Sequence, residues 1–172
     1  MAAASNLPSR VSVYEVAPRD GLQNESAQVA THAKVRLIEA LVDAGITRIE
    51  VGSFVASKWV PQMADADEVC RMIERRPGTS YAALCPNARG LERALAAKVD
   101  EIAVFASASE THNLKNVNKT IAQTLKAFEP VIGPAVAGGL RVRGYVSTMW
   151  GCPYVGDVYP RRGIELAKQL LG

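Results

Sequence analysis

Arg19 and Asp20 stand side by side in the run Glu15–Glu25 (EVAPRDGLQNE), just beyond a short β-type stretch. Asp20 offers the hard oxygen that Mg²⁺ or Mn²⁺ takes. Arg19 offers fixed donors that could brace a carboxylate or a developing oxyanion. The same pair also suits a strand-end ion pair or an Asx-type turn, because Asp before Gly is common turn chemistry; the two readings stand level. Glu50 is a carboxylate inside an apolar strand, so it must be paired or catalytic. A buried partner for Arg19 or Arg48 accounts for it equally well.

The other reactive residue types form weaker patterns. His32 and His112 have no metal-pair spacing, and His32 suits the solvated first turn of a helix. Cys70 falls on a predicted helix, Cys85 at a strand end, and Cys152 in the turn GCPY. Each reads as a packed thiol before it reads as a nucleophile. Trp59 and Trp150 suit lids or packing. No Ser/His/Asp order, P-loop or HExxH occurs, and no GxGxxG follows the first strand, which weakens a dinucleotide-binding sheet.

The elements that must position these residues alternate. Val11–Val16 predicts a strand, and Pro18 and Gly21 make the following segment a loop. Thr31 is the expected N-cap of a helix carrying Val35, Ile38, Leu41 and Val42, which Gly45 ends. Thr47–Val51 is a second strand. Asp65–Arg76 predicts a helix with Ala66, Val69, Met72 and Ile73 inward, stopped by Pro77-Gly78. Tyr81–Leu84 is a third strand, and Asn87 caps a helix with Leu91, Ala94 and Leu95 apolar. Glu101–Phe105 is a fourth strand, followed by polar residues read as a loop. Ile121, Leu125 and Phe128 mark a helix that Pro130 and Pro134 should kink or stop early. Leu140–Val146 is a fifth strand. Pro160 opens a last helix with Ile164, Ala167, Leu170 and Leu171 apolar.

Such alternation, with Val- and Ile-rich strands, predicts a parallel sheet covered by helices. The five predicted strands begin about 32 residues apart, close to the roughly 31 per unit of an eightfold barrel of about 250 residues. Spacing alone leaves an open doubly wound sheet equally possible. In either fold the loops after the strand C-termini build the site. Arg19, Asp20, Gln23, Ser53, His112 and Cys152 all fall there.

The chain has 172 residues, 48% of them hydrophobic and 22% charged, which suits one domain with a sizeable core. A net charge of +3, without a basic run, does not point to nucleic acid. No apolar run approaches the ~18 residues of a membrane helix. Three scattered cysteines form no disulfide framework and fit a reducing compartment, read as cytoplasmic with an organelle matrix as the alternative. Residues 1–10 are expected to be a flexible lead and 11–172 the folded part.

Four segments carry a resemblance. EVAPRDGLQNE (Glu15–Glu25), SFVASKWVPQM (Ser53–Met63), ASASETHNLKNVN (Ala106–Asn118) and RGYVSTMWGCPYVG (Arg143–Gly156) resemble the 3-hydroxy-3-methylglutaryl-CoA lyase family. The resemblance runs from about Val11 onward. It implies an α/β fold of the TIM (β/α)8 barrel type, here incomplete with about five βα units. It implies cleavage of 3-hydroxy-3-methylglutaryl-CoA to acetyl-CoA and acetoacetate, with a divalent metal, Mg²⁺ or Mn²⁺. Carried over, Asp20 resembles the metal-ligating aspartate and Arg19 the catalytic, substrate-contacting arginine. Glu50 is assigned a catalytic place, and Gln23 and Ser53 substrate contacts.

The family's remaining metal ligands, a His-x-His pair and an asparagine, have no counterpart in this sequence, nor does a second GGCPYA-like loop with its cysteine. The GCPY of Gly151–Tyr154 follows the fifth strand and does not inherit that role. Lys98-Val99 replaces small or glycine residues expected at the end of the third helix. The chain is therefore expected to be the N-terminal part of a lyase barrel, inactive alone, with open sheet edges. A homo-oligomer or a complementing chain is the expected partner besides the acyl-CoA substrate. A condensing enzyme of the same superfamily is the competing activity, disfavoured by SKWVPQM.

Overall fold

The computed structural model describes residues 8–171, so residues 1–7 of the expected N-terminal lead, and Gly172, lie outside the described residues. Helices and strands follow in the order α1 (Thr31–Asp43), β1 (Arg48–Ser53), α2 (Ala66–Met72), β2 (Ser80–Leu84), α3 (Ala88–Ala96), β3 (Glu101–Ser107), α4 (Glu110–Val117), α5 (Ile121–Ala137), β4 (Arg141–Ser147), β5 (Gly151–Cys152), β6 (Gly156–Asp157) and α6 (Pro160–Leu171). β1 to β4 form a parallel sheet in sequence order, and β5 and β6 a small antiparallel pair.

Strand alternation separates the two faces of the sheet. Ile49, Val51, Tyr81, Ala83, Ile102, Val104 and Ala106 pack with Val35, Ile38, Val69, Leu91, Phe128 and Val131 of the helices. The opposite face carries Glu50, Glu101, Arg143 and Tyr145, which meet one another through polar contacts. A register shift between Glu50 and Gly52 marks a bulge in β1 beside the buried carboxylate.

Several expectations are corrected. Val11–Val16 is no full strand: Glu15 alone bridges Ile49 in parallel, with Glu50 N–H donating to its carbonyl at 2.8 Å. Val11 and Val13 are exposed, and no strand among the described residues pairs outside them. The sheet thus has five strand positions, four regular strands and one bridge. The Ala30 backbone, not Thr31, is the N-cap of α1; the Thr31 hydroxyl instead donates to Asp65 at 2.8 Å. α2 ends at Met72, which faces solvent, because Ile73 turns extended and buries itself. Leu95, Ile164 and Leu171 are likewise more exposed than their apolar spacing implied.

α5 runs through Pro130 and Pro134. Both prolines lie on its solvent side. The carbonyls they deprive of a donor, those of Lys126 and Pro130, belong to exposed residues. The opposite face buries Phe128, Val131 and Ala135. Packing outweighs the local proline penalty, and a capping box of Thr120 and Gln123 fixes the start.

Candidate active site

The Pro18–Gly21 segment forms a π-helical turn, Ala17–Gly21, where a loop was expected. Pro18 sits in its first turn, where a missing N–H costs nothing. The Arg19 and Asp20 N–H groups both donate to the Val16 carbonyl, at 3.0 and 2.7 Å. The Asn24 side chain closes the turn by donating to the Asp20 carbonyl at 2.7 Å. This backbone sends the Arg19 side chain over the sheet.

There the Arg19 Nε donates to Glu50 Oε1 in β1. Its Nη1 donates to Asp20 Oδ1 at 2.6 Å. The other oxygen of Glu50 accepts from the Tyr145 hydroxyl of β4 at 2.8 Å. The Arg19 side chain is 11% exposed, that of Glu50 0% and that of Asp20 53%. Glu50 is therefore the partner of Arg19 and not of Arg48, which reaches Glu101 instead. Burial pushes the Glu50 carboxyl up, against the pull of the Arg19 guanidinium and the Tyr145 hydroxyl. Burial and the neighbouring Glu50 also push the Tyr145 hydroxyl up.

The structure brings Arg19, Asp20 and Glu50 together, and adds Tyr145, which the sequence reading did not single out. Its position two residues before Ser147, on the same strand face, was the available signal. Ser53 is fully buried at the end of β1, and its hydroxyl accepts from the Val55 N–H at 3.2 Å. Gln23 is half-buried in the turn after Arg19, and its side chain forms no hydrogen bond among the described residues. The loop after β1 is tied down at its base: Gln62 Nε2 donates to the Glu25 carbonyl at 2.9 Å, and Lys34 Nζ meets Asp65 Oδ1 at 2.6 Å. Its Trp59 stays 74% exposed, so it is not packing.

The stretch after β3, expected as a loop, is the helix α4. Ser109 caps it by accepting from the His112 N–H at 3.3 Å, and Asn118 ends it with φ +54°. The Ser109 hydroxyl also donates to Cys152 Sγ at 3.1 Å. Desolvation raises the Cys152 thiol, but the hydrogen bonds from Ser109 and the Tyr154 N–H bring it below the usual cysteine value. Cys70 and Cys85 are pushed up by burial to about 11, which keeps them protonated.

At the other end of the strands, Glu101 is held by Arg48 and Arg143, each at 2.9 Å, and by Arg141 at 3.5 Å. Arg143 lies 3.8 Å and Arg48 5.2 Å from the Tyr14 ring centroid. Burial opposes ionisation of Glu101, but these guanidiniums hold it below its ordinary value.

Asp20 was expected to ligate a metal. Its carboxylate is engaged by Arg19, and among the described residues no group of three or more His, Cys, Asp or Glu converges. These residues alone do not make a divalent-cation site, since Mg²⁺ takes several oxygen ligands. Nor is any helix among them long and apolar enough to cross a membrane.

The family model described as HMGL-like matches residues 10–169. The chain is 51% identical over 165 residues to the 3-hydroxy-3-isohexenylglutaryl-CoA/hydroxy-methylglutaryl-CoA lyase of Pseudomonas aeruginosa, covering 96% of this chain and 55% of that protein. It is 48% identical over 164 residues to the mitochondrial hydroxymethylglutaryl-CoA lyase of Rattus norvegicus, covering 95% of this chain and 50% of that one. It is also 48% identical over 166 residues to the cytoplasmic 3-hydroxy-3-methylglutaryl-CoA lyase of Mus musculus, covering 96% and 48% respectively. The crystal structure of the Pseudomonas aeruginosa hydroxymethylglutaryl-CoA lyase superposes with a TM-score of 0.93 at 51% identity, over 96% of this chain and 55% of that chain. An Acinetobacter baumannii HMG-CoA lyase in complex with coenzyme A and 3-methylmalate superposes at 0.89 with 39% identity, over 99% and 55%. The chain thus spans about half the length of the curated relatives it matches, and its sheet is part of a TIM barrel. Since the matching model covers nearly every described residue, from before the Arg19 turn to the last turn of α6, the chain belongs to the HMGL-like family.

Proposed function

We propose that this chain supplies the first-strand half of a site that cleaves 3-hydroxy-3-methylglutaryl-CoA into acetyl-CoA and acetoacetate. One observation carries the reading: in a chain of this family, a guanidinium at the C-terminal end of a parallel sheet is fixed by a fully buried carboxylate. In the cleavage a base takes the 3-hydroxyl proton and the carbinol carbon becomes a ketone. The bond to the thioester's α-carbon breaks, and its electron pair forms the acetyl-CoA enolate, which is then protonated.

Arg19 is the group that offsets the enolate oxygen's charge. Its Nε and Nη1 are held by Glu50 and Asp20, which leaves Nη2 for the substrate. Glu50 acts through Arg19 by fixing its fork, and Tyr145 fixes Glu50. Gln23 and Ser53 are assigned to polar contacts with the acyl group. Asp20 is assigned one ligand of a divalent cation. No step is derived through that ion, because the described residues do not complete its site. The names of the relatives include both mitochondrial and cytoplasmic lyases, and a cytoplasmic location is kept as part of the proposal.

The test is calorimetric titration of the purified chain with 3-hydroxy-3-methylglutaryl-CoA and with acetyl-CoA. The first should bind more tightly, and Arg19→Met should erase the difference. Equal affinities in the native chain would defeat the reading.

A second reading is favoured by the sheet edge. β4 pairs with β3 alone among the described residues, and its face is half-covered. A complementing chain that adds strands there would complete both barrel and site. Alone, this chain should release no acetoacetate from the substrate with Mg²⁺ present; measurable release refutes that second reading.

A further inference from the structure

A second cleft lies at the end of the sheet opposite Arg19, where β2, β3 and β4 begin at Ser80, Glu101 and Arg141, just after the turns that close α2, α3 and α5. Its volume is about 710 Å³, and Thr79, Leu95, Lys98, Asp100, Leu140 and Arg141 are among the residues that line it. That volume falls within the roughly 300–1,000 Å³ of small-molecule sites. Gly78 and Gly139 also line it, and nothing stands within 4 Å of where a Cβ on either would sit, which keeps those walls open.

Two cations border this cleft. Lys98 holds φ +53°, a left-handed backbone that strains any residue with a side chain, at the position where a glycine or small residue was expected. Arg75 already caps the end of α3, donating to the Lys98 and Ala97 carbonyls at 2.5 and 2.8 Å, so the Lys98 ammonium is not needed there. That ammonium has no partner among the described residues. The Arg141 side chain is 60% exposed yet fixed in direction. Its Nη2 donates to Ser80 Oγ at 2.5 Å and its Nε stands 3.5 Å from Glu101 Oε2, which leaves Nη1 without a partner among the described residues. Asp100, the acid on the lining, is already answered: its Oδ2 accepts from the Tyr81 N–H at 2.8 Å and lies 3.9 Å from Arg75.

A strained, unpaired ammonium and an oriented guanidinium on one cleft gain most from an anion with several acceptor oxygens. Phosphate has that geometry, meeting the flat fork of arginine and the point charge of lysine together, and the Thr79 hydroxyl adds a donor. Phosphate alone fills little of the space. Leu95, 42% exposed, offers an apolar wall for an organic body.

We propose that this cleft binds a small phosphate monoester, with the phosphate between Lys98 and Arg141 and the apolar body against Leu95. The site stands across the length of the sheet from Arg19 and is independent of the lyase reading.

The experiment is titration of the ¹⁵N-labelled full chain with phenyl phosphate, inorganic phosphate and benzoate, followed by amide NMR. Phenyl phosphate should bind more tightly than either of the others and shift the amides of Thr79, Lys98, Val99, Asp100 and Arg141. Lys98→Gly should weaken it about tenfold without lowering stability in urea, which separates lost binding from lost fold. Lys98→Arg should retain binding. Leu95→Ala should weaken phenyl phosphate and leave inorganic phosphate unchanged. Shifts confined to the Ala17–Gly21 turn overturn the site, as does a loss of less than about twofold in Lys98→Gly. No saturation by phenyl phosphate at millimolar concentration overturns it as well.

Discussion

Replacing Arg19 with methionine tests how the site is held. The substitution leaves Glu50 with the Tyr145 hydroxyl as its remaining side-chain partner, at 0% exposure. Breaking a buried pair by removing one member costs about 3–5 kcal/mol, because a charge is left buried without compensation. The lost contact with Asp20 adds little, since that carboxylate is 53% exposed and such pairs are worth at most about 1 kcal/mol. The cost must also depend on pH. Glu50 already sits above its ordinary value through burial, and Arg19 is the largest influence pulling it down. Without Arg19 it rises further. A carboxyl raised in the folded state contributes stability below its unfolded value of about 4.5, and that contribution is lost as pH rises through the folded value. The penalty for Arg19→Met should therefore grow as pH rises above the folded value of Glu50 in the native chain, with a slope of at most about 1.4 kcal/mol per pH unit. Glu50→Gln in the same background removes the charge and should recover most of the loss at pH 8. Urea denaturation followed by circular dichroism at four pH values measures all of this, with Asp20→Asn as the exposed control. A pH-independent penalty, or a double variant no better than Arg19→Met, would refute the reasoning.

Three further outcomes are expected. Glu101 is held below its ordinary value, so its contribution is present above about pH 4.5 and lost as pH falls through the lower folded value. Glu101→Gln should be costly at pH 7 and converge on the native chain in acid; parallel stability curves down to pH 3 would contradict this. Lys98 adopts φ +53° at the end of α3. Lys98→Gly should raise stability by about 0.5–1 kcal/mol in urea melts, and a loss would show that the side chain, not the backbone, matters there. Tyr145→Phe should cost about 1.5–3 kcal/mol, the range for hydrogen bonds to charged groups; a change under about 0.5 kcal/mol would place that hydroxyl elsewhere.

Much of the positioning was legible because local signals and packing agree. Asn87 caps α3 by accepting from the Gly90 N–H at 2.9 Å, and Gly45 takes φ +99° where α1 ends. The segments that misled were those whose outcome depends on partners distant in sequence. Val11–Val16 has the alternation of a strand, but pairing reaches it at Glu15 alone. α4 hides behind a polar surface, because the residue that anchors it is Asn113, buried and donating to Thr124 Oγ1 at 2.7 Å. Nothing in local spacing marks that asparagine. Likewise Arg19 and Glu50 were each recognisable, but the choice of Glu50's partner, Arg19 over Arg48, follows from the π-helical turn. Lys98 is a milder case: the position where a glycine was expected keeps the left-handed backbone without one. Its carbonyl accepts from Arg75 Nη1 at 2.5 Å, and Arg75 Nη2 donates to the Ala97 carbonyl at 2.8 Å.

The inward face of the sheet uses one device twice, with opposite results. Glu50 and Glu101 are both buried carboxylates facing arginine. At an effective dielectric near 20, one charge at 4 Å contributes about 4 kcal/mol, while desolvation costs several kcal/mol per ion. Glu101 meets three guanidiniums and ends up held below its ordinary value. Glu50 meets one and ends up raised. The saturated end, where the strands begin, is a fixed bolt. At the other end the charge balance is close, and the Nη2 of Arg19 has no partner among the described residues. An incoming acyl anion would therefore meet a cation already oriented by a carboxylate that holds its own charge weakly. The catalytic use proposed for Arg19 requires that asymmetry: a second arginine on Glu50 would strengthen the fold and compete with Arg19 for the carboxylate that aims it.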